Sequence, residues 1–230
     1  MVYYMLLVRQ FLKDLFYKNL MFTQGSYPLY VPSILFIVLG CSFPALRFCM
    51  GVCALVHALI FLFFFRNPER VCEAALQDSS LIIAPCDGKI LAIDYQNSEQ
   101  PGYTQKISIF LSPLDVHVNW IPVTGVIENV AYHQGSFYPA FLPKASQLNE
   151  RNDVVVTTVQ GNSLKLRQIT GTLARTIVCW VTEGQEVTVG QKYGMMKFGS
   201  RIDLFLPSTV VLAVKNNERV WGGLTVIGRW

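Results

Sequence analysis

Between Val31 and Phe65 the chain carries two apolar runs, VPSILFIVLGCSFPAL and FCMGVCALVHALIFLFFF, with Arg47 the single charge between them. Each run is close to the shortest helix that crosses a hydrocarbon core of about 30 Å. The expectation is a helical hairpin turning near Pro44 and Arg47, either spanning the bilayer or re-entering it. Arg9, Lys13 and Lys18 precede the hairpin and Arg66 and Arg70 follow it. The positive-inside tendency then places both ends in the cytoplasm. A cleaved signal peptide is disfavoured, because the apolar stretch begins late, is double and lacks a small-residue cleavage site. Ahead of the hairpin, Phe11, Leu12, Leu15 and Phe16 alternate with the basic residues as in an interfacial helix. His57, inside the second run, reads as a neutral histidine facing its neighbouring helix.

Composition agrees with a chain partly in lipid: 15% of residues are charged and 52% hydrophobic, low and high respectively for a soluble domain. The net charge of +4 suits an anionic membrane surface. It does not indicate nucleic acid, since no Lys/Arg stripe is interleaved with aromatics. The six cysteines form no CxxC framework and read as reduced thiols in a cytosol-facing protein. His57, His117 and His133 are too scattered to make a recognised metal site, so no metal is expected, and no Gly-rich phosphate loop is present.

After RNPER the pattern changes. Short runs such as SLIIAP, KILAID, KISIFL, VVVTTV, TIVCWVT and STVVLAV alternate with Gly, Pro, Asn and Asp, the signature of a compact sheet or barrel. The expected organisation is a membrane anchor over residues 1–65 and a mainly β domain over 66–230, a β-sandwich or barrel-sandwich. GQEVTVGQ and NERVWGGL form a faint internal echo, Val187 with Gly190 and Val220 with Gly223, as in lipoyl-type folds.

Three stretches carry candidate chemistry. APCDGKI places Asp87 in a Pro-to-Gly turn. SPLDVHVNW places His117 after KISIFL, with Asp115 on the same face if that strand continues. KFGSRIDLFLP enters an alternating strand through Gly199 and Ser200, a pair that turn chemistry alone would also supply.

Taken in order, FFFRNPER, IIAPCDGKI, ISIFLSPLDVHVNWIPVTG, KASQLNERN, GTLARTIV and GQKYGMMKFGSRIDLFLP resemble the short form of the phosphatidylserine decarboxylase family. The resemblance covers most of the chain beyond residue 60. It implies a pyruvoyl enzyme that cleaves itself between Gly199 and Ser200, giving a β chain of residues 1–199 and an α chain of residues 200–230 that remain associated. Ser200 would attack the Gly199 carbonyl and be converted into the covalent pyruvoyl cofactor, the electron sink for decarboxylation. By the same resemblance Asp87 would orient His117, and His117 would deprotonate Ser200 and later return a proton to the substrate.

The implied substrate is phosphatidylserine or a related aminophospholipid, the implied product phosphatidylethanolamine, and the implied location the membrane, with the catalytic domain on its cytoplasmic face. Self-association into a homo-oligomer is left open. Cys86 stands where the family has alanine, and Trp120 where long-form members carry a second histidine, so His117 would serve both reactions unless another group helps. Two other classes of function compete: a non-catalytic membrane-tethered module that binds lipid or a partner, and a lipoyl-like carrier with Lys215 as its lysine.

Overall fold

A computed structural model describes residues 27–172, 176–196 and 199–230; the segment read as an interfacial helix lies outside them. The chain divides into two compact units, Met1–Pro68 and Glu69–Trp230.

In the first unit, α1 (Tyr27–Ser42) and α2 (Arg47–Phe64) are joined through Phe43 and a 3-10 turn, Pro44–Leu46. The 18 residues of α2 extend about 27 Å, and their mean hydropathy of 2.1 makes this the one described helix long and apolar enough to cross a membrane. His57 faces the neighbouring helix as expected: its Nδ1 lies 2.6 Å from the Ser33 hydroxyl, a pairing that satisfies a polar ring where water is scarce.

The second unit is mainly β. After a single-turn helix, α3 (Glu73–Gln77), come β1 (Leu81–Ile83), β2 (Gly88–Asp94), β3 (Gln105–Leu111), β4 (Val118–Trp120) and β5 (Gly125–His133). A short α4 (Ala145–Leu148) precedes β6 (Arg151–Thr157), β7 (Ser163–Ile169), β8 (Ile177–Cys179), β9 (Glu186–Val187) and β10 (Lys192–Met196). The chain ends with β11 (Ser200–Leu206), β12 (Val211–Leu212), β13 (Arg219–Val220) and β14 (Val226–Arg229).

Eight strands form one antiparallel sheet in the order β13-β2-β3-β11-β7-β6-β5-β9, and two three-stranded sheets, β1-β14-β12 and β4-β10-β8, complete the unit. The large sheet is open, not a closed barrel. The two echo segments supply its opposite edges, β9 and β13, each followed by a glycine with positive φ, Gly190 at 81° and Gly223 at 75°. They are therefore not two halves of one lipoyl-type hairpin. Lys215 instead begins the turn before β13, its main-chain N–H bonded to Glu218 Oε2 at 2.8 Å.

Alternation along β11 assigns its two faces. Ser200, Ile202, Leu204 and Leu206 share one face, and the three apolar members join Ile107, Ile109, Leu111, Val154, Val156, Leu164 and Leu166 in the core. The opposite face is ionic yet buried. Arg201 bonds to Asp203 at 2.5 and 2.8 Å and to Ser108 Oγ at 2.9 Å, while Arg167 grips Asp153 at 2.7 and 3.0 Å. The segment between β5 and β6 covers these charges: Ser146 Oγ donates to Asp203 at 2.6 Å, and the Leu142 carbonyl accepts from Arg201 at 3.3 Å. Pairing of this kind is what makes buried charge tolerable.

Candidate active site

A crossing between sheets creates the site. Residues 112–117 carry the chain from β3 in the large sheet to β4 in a small one, and Gly199 stands directly before β11. Because β3 pairs with β11 and β4 with β10, the end of that crossing lies beside the start of β11. His117 thereby meets Gly199. The Gly199 amide donates to His117 Nε2 at 3.3 Å, and the Met196 amide donates to the His117 carbonyl at 3.1 Å.

The histidine ring is fully buried, and its tautomer follows from its partners. Nδ1 lies 2.9 Å from the Asp115 main-chain carbonyl; a carbonyl only accepts, so Nδ1 carries the hydrogen and Nε2 presents its lone pair to the Gly199–Ser200 segment. The strand continuation that would have put Asp115 and His117 on one face does not occur. KISIFL ends at Leu111, and Asp115 closes a turn, its Oδ2 accepting from the Ser112 amide at 2.8 Å while Oδ1 pairs with Arg219. The main chain of Asp115, not its carboxylate, reaches the ring.

Ser200 is completely buried, and among the described residues its hydroxyl has no hydrogen-bond partner. A buried hydroxyl left without a partner ordinarily costs stability. Gly199 holds φ at 67°, a left-handed conformation that favours glycine. A Cβ on Gly171 would collide with the Gly199 carbonyl oxygen, so a second glycine keeps the space around that carbonyl.

Asp87 sits in the bend before β2 and is also buried. Arg70 engages both of its carboxylate oxygens, at 3.0 Å on Oδ2, and the Gly222 amide donates to Oδ1 at 2.9 Å. Arg70, which the sequence counts as a flanking charge of the hairpin, thus belongs to this cluster, its guanidinium 4.8 Å above the Trp120 ring. The orienting bond to His117 Nδ1 expected of Asp87 comes from the Asp115 carbonyl. Burial, with Asp87 and Asp115 nearby, pushes the Cys86 thiol well above its usual pKa, so Cys86 is an inert neutral thiol here.

Sequence reasoning missed a chain of buried amides. Asn152 Nδ2 donates to Gln168 Oε1 at 3.1 Å, Gln168 Nε2 to Asn119 Oδ1 at 2.8 Å, and Asn119 Nδ2 to the His117 carbonyl at 3.4 Å. Only Asn119, two residues after His117, carried a local signal.

This geometry has close company among known proteins. The family model described as phosphatidylserine decarboxylase matches residues 57–228. The chain belongs to the phosphatidylserine decarboxylase family. A phosphatidylserine decarboxylase proenzyme of Carboxydothermus hydrogenoformans is 42% identical over 212 residues, 91% of this chain and 96% of the relative. The proenzyme of Cytophaga hutchinsonii is 41% identical over 185 residues, 78% and 81% of the two chains. That of Pelodictyon phaeoclathratiforme is 36% identical over 217 residues, covering 91% of this chain and all of the relative.

Proposed function

We propose that the chain is a proenzyme that cuts itself between Gly199 and Ser200, and that its mature form decarboxylates phosphatidylserine to phosphatidylethanolamine. The observation that carries the cleavage is the lone-pair nitrogen of His117, 3.3 Å from the amide of Gly199, the residue before a buried serine whose hydroxyl has no hydrogen-bond partner among the described residues.

His117 Nε2 takes the Ser200 Oγ proton as Oγ attacks the Gly199 carbonyl, and returns it to the Ser200 nitrogen as the peptide bond breaks, leaving an ester. Loss of the Ser200 Cα proton then expels the Gly199 carboxylate from Cβ. Hydrolysis of the resulting enamine releases ammonia and leaves a pyruvoyl group at residue 200. The donor set fits this group, since the residue to be converted already stands on the core face of β11, its side chain without a partner among the described residues. Once formed, the pyruvoyl ketone supplies an electron sink for loss of carbon dioxide. His117 Nε2, next to Gly199, holds the proton that replaces the departing carboxylate.

Asp87 acts as a positioning residue, fixing Arg70 and the Gly222 turn against Trp120 and so the end of β4. The two product chains stay together because β11 is an inner strand, with β3 on one side and β7 on the other, and because β13 and β14 also pair with strands of the larger fragment. The apolar α2 anchors the enzyme in a bilayer, and the basic flanks of the hairpin put the β unit on the cytoplasmic side.

Denaturing mass measurement of the purified protein tests the cleavage: fragments 1–199 and 200–230 are expected, the second beginning with pyruvoyl. Carboxyl-labelled phosphatidylserine tests the reaction. An intact chain, or a cleaved one that releases no labelled carbon dioxide, overturns the proposal.

A further inference from the structure

Around the buried Ser200 the β unit exposes large apolar side chains. Leu114 is 70% exposed, Phe141 57% and Trp221 47%. They come from three separate segments, and each is tied to the site. Leu114 follows Pro113, whose Cγ lies 3.8 Å from where a Gly199 Cβ would be. Phe141 packs its ring edge-on to Phe110 at 6.4 Å, and Phe110 is the register partner of Arg201. Trp221 lies beneath the Arg219 guanidinium at 4.9 Å, and Arg219 in turn pairs with Asp115 in the Leu114 turn.

Cations share this end of the sheet. Arg219, Lys89, Phe110 and Arg201 are successive cross-strand partners over β13, β2, β3 and β11, one residue along from the Leu111–Ser200 pair. Lys89 is exposed, as is Lys144, three residues beyond Phe141, and the Arg219 side chain is half exposed. Asp115 neutralises Arg219, while Lys89 and Lys144 form no ion pair among the described residues, which leaves the rim positive. Exposed apolar groups interleaved with unneutralised cations fit the headgroup boundary of an anionic bilayer. Arg219 over Trp221 has the amphipathic form that settles at that depth.

We infer that this rim is a bilayer-docking face of the β unit: Leu114, Phe141 and Trp221 enter the headgroup boundary while Lys89 and Lys144 engage lipid phosphates. Its purpose rests on the decarboxylase reading, because a lipid headgroup must reach a residue that solvent does not. Its test does not rest there.

All four tryptophans, Trp120, Trp180, Trp221 and Trp230, lie in the β unit, so their fluorescence ignores the helical hairpin. The full chain is reconstituted in phosphatidylcholine–phosphatidylglycerol vesicles containing brominated phosphatidylcholine. Quenching is expected in the wild type, to be largely lost in Trp221→Phe, and to return in Trp221→Phe/Leu114→Trp; Lys89→Glu should weaken it. If Leu114→Trp does not fold, Phe141→Trp in the same background reads the other side of the rim. Quenching that is unchanged by Trp221→Phe and absent from the introduced tryptophan overturns the inference.

In a second arm, Leu114→Ser/Phe141→Ser should lower carbon dioxide release from bilayer phosphatidylserine several-fold and spare a short-chain, monomeric phosphatidylserine. Equal loss on both overturns docking. Absence of release from either substrate by the wild type defeats the decarboxylase reading alone, and the quenching result still decides docking.

Discussion

His117 Nε2 stands 3.3 Å from the amide nitrogen of Gly199, the residue that precedes Ser200. The ring reaches that place with its other nitrogen held by a main-chain carbonyl 2.9 Å away, so the tautomer needed to accept a proton is set by the backbone.

Replacing His117 by alanine therefore removes the base from an otherwise complete precursor. Self-cleavage should slow by about 10²- to 10⁴-fold, the usual contribution of a positioned general base. The fraction of full-length chain against time on a denaturing gel reads this directly. Cleavage at the wild-type rate would show that another group takes the Ser200 proton.

Gly171 guards the space occupied by the Gly199 carbonyl oxygen. A methyl group at residue 171 must push the scissile peptide out of place, a strain of about 1–3 kcal/mol for overpacking. Gly171→Ala should process more slowly than wild type while retaining the strand content seen by circular dichroism. Unchanged processing would mean that the carbonyl does not need its present position.

Asp87 and Arg70 act as one unit in this structure, the carboxylate accepting from both the guanidinium and the Gly222 amide. Breaking such a buried pair costs about 3–5 kcal/mol. Asp87→Asn and Arg70→Ala should slow processing by similar factors, and the double variant should be little worse than either alone, the mark of coupled residues. Additive losses would separate Asp87 from Arg70 and give it a direct part in proton transfer.

Burial pulls the Asp153 carboxyl upward, but Arg167 and Lys165 outweigh that pull and hold it below the usual carboxylate value. A lowered native pKa makes the ionised pair a source of stability above the unfolded value of about 3.9, lost as pH falls through the native one. Asp153→Asn should lower the urea midpoint at neutral pH, and its deficit against wild type should shrink in acid below about pH 4. A deficit that stays constant across that range would assign the loss to packing.

The helical hairpin and the strand-rich half were legible because both depend on local pattern: an uninterrupted apolar run has few ways to satisfy its backbone, and alternation assigns a strand its faces. On β11 the alternation of Ile202, Leu204 and Leu206 was legible, and the structure extends its phase to a buried Ser200. Asp87, His117 and the Gly199–Ser200 bond could be singled out as a set by motif order, which says nothing of distance. Tertiary structure alone decided that His117 leans on the Asp115 carbonyl, that Asp87 holds Arg70, and that Gly171 backs the Gly199 carbonyl. With the contact of His117 to Gly199, they depend on the pairing of β3 with β11 and β4 with β10. Which residues lie beside which follows from how the strands of three sheets find one another. No local period in the sequence encodes that choice; burial of the shared core selects it.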